Sequence, residues 1–375
     1  MADAGRRDGS GDEAIERVLD GRSWEDFCDS LKAAGEVVLR DDTPANPFDR
    51  AEGWRYLSRL TRSALESFVE ASDTQAPEFR VTVGETIKMG MDNPDNVYLS
   101  APVNGSYEYR ITGRRGTVHY LGFGSQAGNY GRTGSLDTTG YLEAKDMEIN
   151  PDGQFEIIAS AKEHSGNWLP MQPETRLIQI RQTRLDHANE KVADVRIERI
   201  DGPREPRHLD PARLDRMLQS AAGFVKGCAT IFANWAADFQ QHVNELPRFD
   251  PDKAFAAGGD PNIAYYHSYW RLAPDEALVV EVTPPECDYW NFQLANHWLE
   301  SLDYRYFTVH LNSHTARPRE DGSIRAVVAH EDPGVDNWLN TCGHAQGAMC
   351  WRWIRAVEHP QPRTRVVKVA ELRGE

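Results

Sequence analysis

The stretch "YWNFQLANHWLESLDYRYFTVH", residues 289–310, holds the side chains best suited to chemistry. Successive side chains of an extended chain alternate, so Tyr289, Asn291 and Gln293 share one face, with Trp290, Phe292 and Leu294 on the other. His297, Asp303 and Tyr304 follow closely. Downstream, "AHEDPGVDNWLNTCGH", residues 329–344, adds His330, Glu331, Asp332, Asn337 and His344. A histidine titrates near neutral pH, and a nearby carboxylate sets its tautomer and raises its basicity. These residue types point to proton transfer on a bound molecule. His297 or His344 would carry the proton, and Asp303 or Asp332 would orient it. Tyr289, Trp290, Asn291, Tyr304 and Asn337 would hold the substrate. Hydration, elimination or isomerisation needs only such an acid–base pair. The plain alternative is a sheet with one solvated face and histidines that merely complete hydrogen bonds.

A third stretch, "MDNPDNVY" at residues 91–98, concentrates Asp92, Asn93, Asp95 and Asn96 before Tyr98. It reads as an Asx/Pro turn, or as a surface that hydrogen-bonds a polyol with Lys88 nearby. An oxygen-ligand metal site would suit these side chains, but the Ca²⁺-loop spacing and its distal Glu are missing. Paired Cys/His spacing for structural zinc is absent, as are H-E-x-x-H and G-x-S-x-G. Gly122-x-Gly124-x-x-Ala127 formally fits a dinucleotide fingerprint, with Glu143 downstream. The following "GNYGRTGSLDTTG" cannot form the helix that would hold a pyrophosphate, so a Gly-rich loop between strands is the better reading. Chemistry without metal or other cofactor is therefore expected, on a small, partly apolar hydroxylated molecule. The rival is a carbohydrate-binding or scaffolding sandwich without catalysis, whose aromatics would lie on an open surface.

With 42 Lys and Arg against 58 Asp and Glu, the net charge is −16. That balance argues against nucleic acid and against an anionic membrane surface as partners. No apolar run approaches membrane-span length, and "MADAGRRDGSGDEA" lacks a secretory h-region. Five cysteines at wide spacings, with no C-x-x-C pair, fit a reducing compartment. The expectation is a cytoplasmic protein with a small-molecule ligand, a homo-oligomer being left open.

These side chains must be positioned by the elements around them. Residues 1–22 read as a disordered tail. Residues 23–75 read as a helical region, with Ser23 as cap and Trp54, Leu57, Leu60, Ala64 and Leu65 on one stripe. Residues 78–205 are short β-branched and aromatic runs between turn residues, a first β-unit. Residues 206–260 are a long helix and linker. Asp210 caps that helix, Pro211 takes its first position, and a bend is expected near Gly223 and Gly227. Residues 261–375 form a second β-unit. The fold class is mainly β with helical additions (α+β): two related antiparallel β-sandwich or jelly-roll-like units joined by a long helix.

The relation between the units comes from internal repetition. A shift of 169 residues places Tyr120 on Tyr289, Phe123 on Phe292, Asp152-Gly153 on Asp321-Gly322 and Ile158 on Val327. One added residue then brings Asn167-Trp168-Leu169 onto Asn337-Trp338-Leu339. An Asn can cap a turn while Trp and Leu drop into the core behind it, so the repeated tripeptide reads as a structural corner.

The phrases "GETIKMGMDNPDNVY", "GSYEYRITGRRGTVHYLGFG", "YWNFQLANHWLESLDYR" and "AHEDPGVDNWLNTCGH" resemble bacterial proteins of the uncharacterised DUF1214 family, which often travels with a second module, DUF1254. The likeness spans roughly residues 24–372. It implies β-sandwich or jelly-roll units with helical additions, the second unit being the DUF1214-like one. It brings no substrate or catalytic residue.

Overall fold

The computed structural model describes residues 9–131, 133–256, 258–260 and 262–372. Helix α1 (Gly9–Leu19) lies in the stretch expected to be a disordered tail. It is tied down because Ala14 is buried and Arg17 bridges Asp26 at 2.8 Å and Asp215 at 3.1 Å. Residues 1–8 of that stretch lie outside the described residues. Helices α2 (Arg22–Ala34) and α3 (Pro47–Leu65) follow, α3 capped by Asn46, whose side chain accepts from Asp49 N.

The first β-unit contains β1 (Arg80–Val83), β2 (Asn96–Pro102), β3 (Tyr109–Arg114), β4 (Tyr120–Ala127), β5 (Asp137–Glu143), β6 (Gln154–Ser160), β7 (Trp168–Pro170), β8 (Thr175–Thr183) and β9 (Asp194–Arg199). Helix α4 (Pro211–Phe239) and the short α5 (Pro251–Ala256) lead to the second unit. That unit contains β10 (Ile263–Arg271), β11 (Glu276–Val282), β12 (Tyr289–Leu294), β13 (His310–Asn312), β14 (Ile324–Ala329), β15 (Trp338–Asn340), β16 (Gln346–Ile354) and β17 (Arg363–Lys368).

Each unit is a pair of sheets. The first has orders β1-β2-β8-β4-β5 and β7-β6-β3-β9; the second has β10-β16-β12-β13 and β15-β14-β11-β17. Apart from the edge strand β1, moving each strand eight places along the chain turns the first pair of orders into the second. The registers agree as well. Arg181 lies opposite Tyr98 and Gly122, as Arg352 lies opposite Tyr265 and Asn291. Gly122 and Gly124 are part of β4, which pairs directly with β5, so no helix follows them and no dinucleotide cradle forms.

Most ladders are antiparallel as expected, but β6–β7 and β14–β15 are parallel. Both exceptions follow the Asn-Trp-Leu corner. Asn167 Nδ2 donates to the carbonyls of Glu148 and Glu156 and its Oδ1 accepts from Glu148 N. Asn337 does the same with Arg317 and Arg325, and it sits at φ 58°, a left-handed conformation that Asn tolerates. Trp168 and Trp338 each donate their indole N–H to a carbonyl of the preceding strand. Asn337 is thus engaged in its own corner, away from any ligand. Asn337→Ala is expected to lower the unfolding free energy by about 1–2 kcal/mol, from lost hydrogen bonds and left-handed strain. A denaturant titration beside Asn167→Ala checks this, Asn337→Ala losing more because only Asn337 sits in the left-handed region.

Period-two alternation decides which strand face meets which core. On β16, Met349, Trp351 and Trp353 enter the core between the sheets of the second unit, with Trp270, Phe292 and Val280. The intervening Ala348 and Cys350 face the helices, and Arg352 shares their face. On β8, Ile178 and Ile180 enter the core of the first unit with Ile111 and Phe123, so Gln179 and Arg181 face away.

Helix α4 runs 29 residues, capped by Asp210 accepting from Ala212 N, with Pro211 at the start. Its glycines admit another backbone: a Cβ on Gly227 would sit 2.4 Å from the Tyr130 carbonyl oxygen, and one on Gly131 would sit 2.3 Å from the Gly223 carbonyl carbon. Among the described residues, no helix is long and apolar enough to cross a membrane.

Candidate functional site

A cavity of about 690 Å³ opens where the outward faces of β2 and β8 meet those of β10 and β16. Tyr98 and Ser100 of β2, Gln179 and Arg181 of β8, and Tyr265 and His267 of β10 line it, with Arg352 beneath. Phe224, Phe232 and Trp235 of α4, together with Phe68, make its wall mainly apolar. Residues 89–93 close one side. Of the "MDNPDNVY" stretch, Asp92, Asn93, Asn96 and Tyr98 reach the lining. Lys88 does not; it is buried, donates to the carbonyls of Ser301 and Leu302, and lies over the Tyr304 ring.

Arg181 and Arg352 face the cavity, whose lining also carries the carboxylates Asp92 and Asp260. Arg352 is 3% exposed and donates to Asn291 Oδ1, Gln293 Oε1 and the Met91 carbonyl. Arg181 donates to the Gly258 carbonyl. Among the described residues, neither has a carboxylate at ion-pair distance. His267, 6% exposed, is stacked between Phe239 and Tyr265. Its Nδ1 has no partner, and burial holds it well below the ordinary imidazole range, so the ring is neutral. Burial also raises Asp92, against the pull of Lys88 and the hydrogen bonds from Ser301.

The polar face of β12 is neither solvated nor part of the cavity. The 91–95 loop of the first unit covers it. Asn291, fully buried, donates to Asn93 Oδ1 at 2.5 Å and Asp95 Oδ2 at 3.1 Å, and Gln293 donates to the Asp92 carbonyl. Asn291 therefore links the Arg352 guanidinium to the Asp95 carboxylate. Behind it, Tyr289 lies 3.4 Å from Thr183 Oγ1, and burial pushes its phenol far above the usual range.

The other expected site residues are placed apart. His297 is buried, with Nδ1 3.0 Å from Tyr269 Oη, and burial pushes it down to about 4. His344 is buried with Nδ1 3.3 Å from Asp49 Oδ1. The carboxylate beside both is Asp49, not Asp303 or Asp332. Asp303 pairs with its neighbour Arg305 at 2.8 Å, which holds it down at about 2. Asp332 is exposed and accepts from Gly334 N within its own turn. Trp290 stacks on Trp351 in the sandwich core. None of His297, His344, Asp303, Asp332, Tyr289, Trp290, Asn291, Tyr304 or Asn337 lines the cavity. Nor do the aromatics form an open carbohydrate platform: Trp270, Tyr289, Trp290 and Trp298 are all exposed by 4% or less.

The fold assembles residues that sequence spacing kept apart. Arg352 carries one signal, a lone Arg in the largely apolar strand β16; Arg181 carries none, because β8 also holds Arg176, Gln179 and Gln182. Asp95, His187 and His310, from three distant segments, bring one ligating atom each within 4.8 Å of one another. Short-range metal motifs cannot detect such a set.

The model of a family described as a protein of unknown function, DUF1214, matches residues 274–357. The crystal structure of an uncharacterised protein from Burkholderia cenocepacia is 52% identical, covers 95% of this chain and 99% of its own, and superposes with a TM-score of 0.93. A Vibrio parahaemolyticus protein, 11% identical, covers 89% of this chain and 100% of its own at a TM-score of 0.49. No curated protein matches the chain.

Proposed function

We propose that this chain, which belongs to the DUF1214 family of unknown function, binds a small, partly apolar molecule carrying a carboxylate in the cavity between its β-units. The observation that carries the reading is the pair Arg181 and Arg352, on matching strand positions of a mainly apolar cavity, neither in ion-pair contact with a carboxylate among the described residues, although the Asp260 charge acts on Arg181. A cation in a low-dielectric setting is costly unless an anion meets it. A carboxylate fits the planar fork of a guanidinium and forms charge-assisted hydrogen bonds with it. Among the described residues, Arg352 retains two of its five N–H groups and Arg181 four. Tyr98, Ser100 and Tyr265 can take a ligand hydroxyl, and the α4 aromatics its apolar part. Neutral His267 beside Tyr265 can give or take a hydrogen bond to the ligand, so it helps orient the bound acid. The identical strand orders and the two Asn-Trp-Leu corners support an origin of the units by internal duplication.

A thermal-shift panel of short aliphatic and aromatic carboxylic acids, each beside its neutral amide, tests the proposal. Acids should raise Tm and amides should not. Arg181→Gln should weaken the best acid by about 10–100-fold, the worth of charge-assisted hydrogen bonds. Stabilisation by neutral sugars alone, or unchanged affinity in Arg181→Gln, would sink it.

A further inference from the structure

We propose that Asp95, His187 and His310 form a mononuclear divalent-metal site, of the class that takes Zn²⁺, at the seam between the two β-units. Asp95 comes from the loop before β2, His187 from the segment after β8, and His310 from β13. Asp95 Oδ1 lies 3.0 Å from His310 Nε2 and 3.3 Å from His187 Nε2. Four-coordinate zinc with bonds of about 2.0–2.1 Å sets its ligands about 3.3 Å apart, so both distances resemble edges of one coordination tetrahedron.

The hydrogen bonding agrees with convergence on a shared ion. His187 Nε2 is buried, lies 3.3 Å from the Asp95 carboxylate oxygen, and makes no well-aligned hydrogen bond among the described residues. The carboxylate itself is fixed from behind. Asn312 Nδ2 donates to Oδ1 at 2.8 Å, and Asn291 Nδ2 to Oδ2. Such outer contacts orient a metal ligand.

Two imidazoles and one carboxylate favour borderline transition ions over Mg²⁺ or Ca²⁺, which prefer all-oxygen shells. His187 is one-third exposed, so one side of the site reaches solvent. Three protein ligands with an open position suit a metal that binds water or substrate rather than one that only holds a fold. The shared Asn291 places this site two hydrogen bonds from the cavity arginine Arg352.

Calorimetric titration of the chelator-treated full chain with Zn²⁺ tests the site. One equivalent should bind, and Mg²⁺ should not displace it. His187→Ala, a partly exposed position, and Asp95→Asn should each weaken binding by at least about 100-fold, since losses outside the ligand set alone reach that size. His314→Ala, beside Asp186 at 3.7 Å and outside the triad, should bind as the parent does. Co²⁺ should give a visible ligand-field band that His310→Ala abolishes. Less than one equivalent in the parent, or unchanged affinity in a folded His187→Ala, overturns the proposal whatever the carboxylate panel shows.

Discussion

Arg352→Met is expected to lower the unfolding free energy by about 3–5 kcal/mol, a large share of a domain's stability. The Arg352 side chain is the donor for three acceptors on two segments: Asn291 Oδ1 and Gln293 Oε1 on β12, and the Met91 carbonyl in the loop that covers β12. Methionine fills similar volume but donates nothing. Each orphaned buried acceptor costs about 1–3 kcal/mol, partly offset because a buried cation no longer has to be desolvated. Arg181→Met leaves one described acceptor, the Gly258 carbonyl, and should cost about 1 kcal/mol while losing carboxylate binding. Denaturant titrations of the three proteins give the comparison, with m-values unchanged. An Arg352→Met midpoint matching that of Arg181→Met would mean that Arg352 does not hold the loop to the strand.

That loop also marks how far the sequence could be read. Alternation in "YWNFQL" places Tyr289, Asn291 and Gln293 on one face, and the structure has them there. The pattern cannot name what covers that face, because the cover, residues 91–95, lies about 200 residues earlier. The two stretches singled out separately for polar chemistry are packed on each other, so most of their hydrogen-bonding capacity is spent internally. Histidine partners fail for the same reason. Asp332 is near His344 in sequence, but His344 meets Asp49, 295 positions away. Asp303, by contrast, pairs two residues on, a contact any chain can make locally. The Asn-Trp-Leu corner was legible because its bonds close within about 20 residues. Gly223 and Gly227 read as a bend because glycine weakens a helix; their role as a seat for Tyr130 and Gly131 depends on a loop no periodicity reveals.

Acid should destabilise the fold through its buried histidines. His297 and His267 are both buried and neutral, with imidazoles pushed below the ordinary value, His297 to about 4. In the unfolded chain each recovers a value near 6.5. Below that pH the unfolded state therefore binds more protons than the folded state, and stability falls as pH falls. The contribution is fully present above pH about 6.5 and is lost progressively down to pH about 4, amounting to about 3 kcal/mol for His297 alone. Asp92 and Glu300 act in the opposite sense. Burial raises both, so the folded state takes up their protons first and gains stability on acidification. A comparison with His297→Leu separates these effects. The variant loses the Tyr269 hydrogen bond at every pH, which lowers its stability curve uniformly, and it loses the proton linkage, which flattens the curve between pH 6.5 and 4. Urea titrations across that interval should show the parent and variant converging as the pH falls. Parallel curves would mean that His297 titrates in the folded protein as it does in the unfolded chain, with solvent reaching a ring that is 1% exposed.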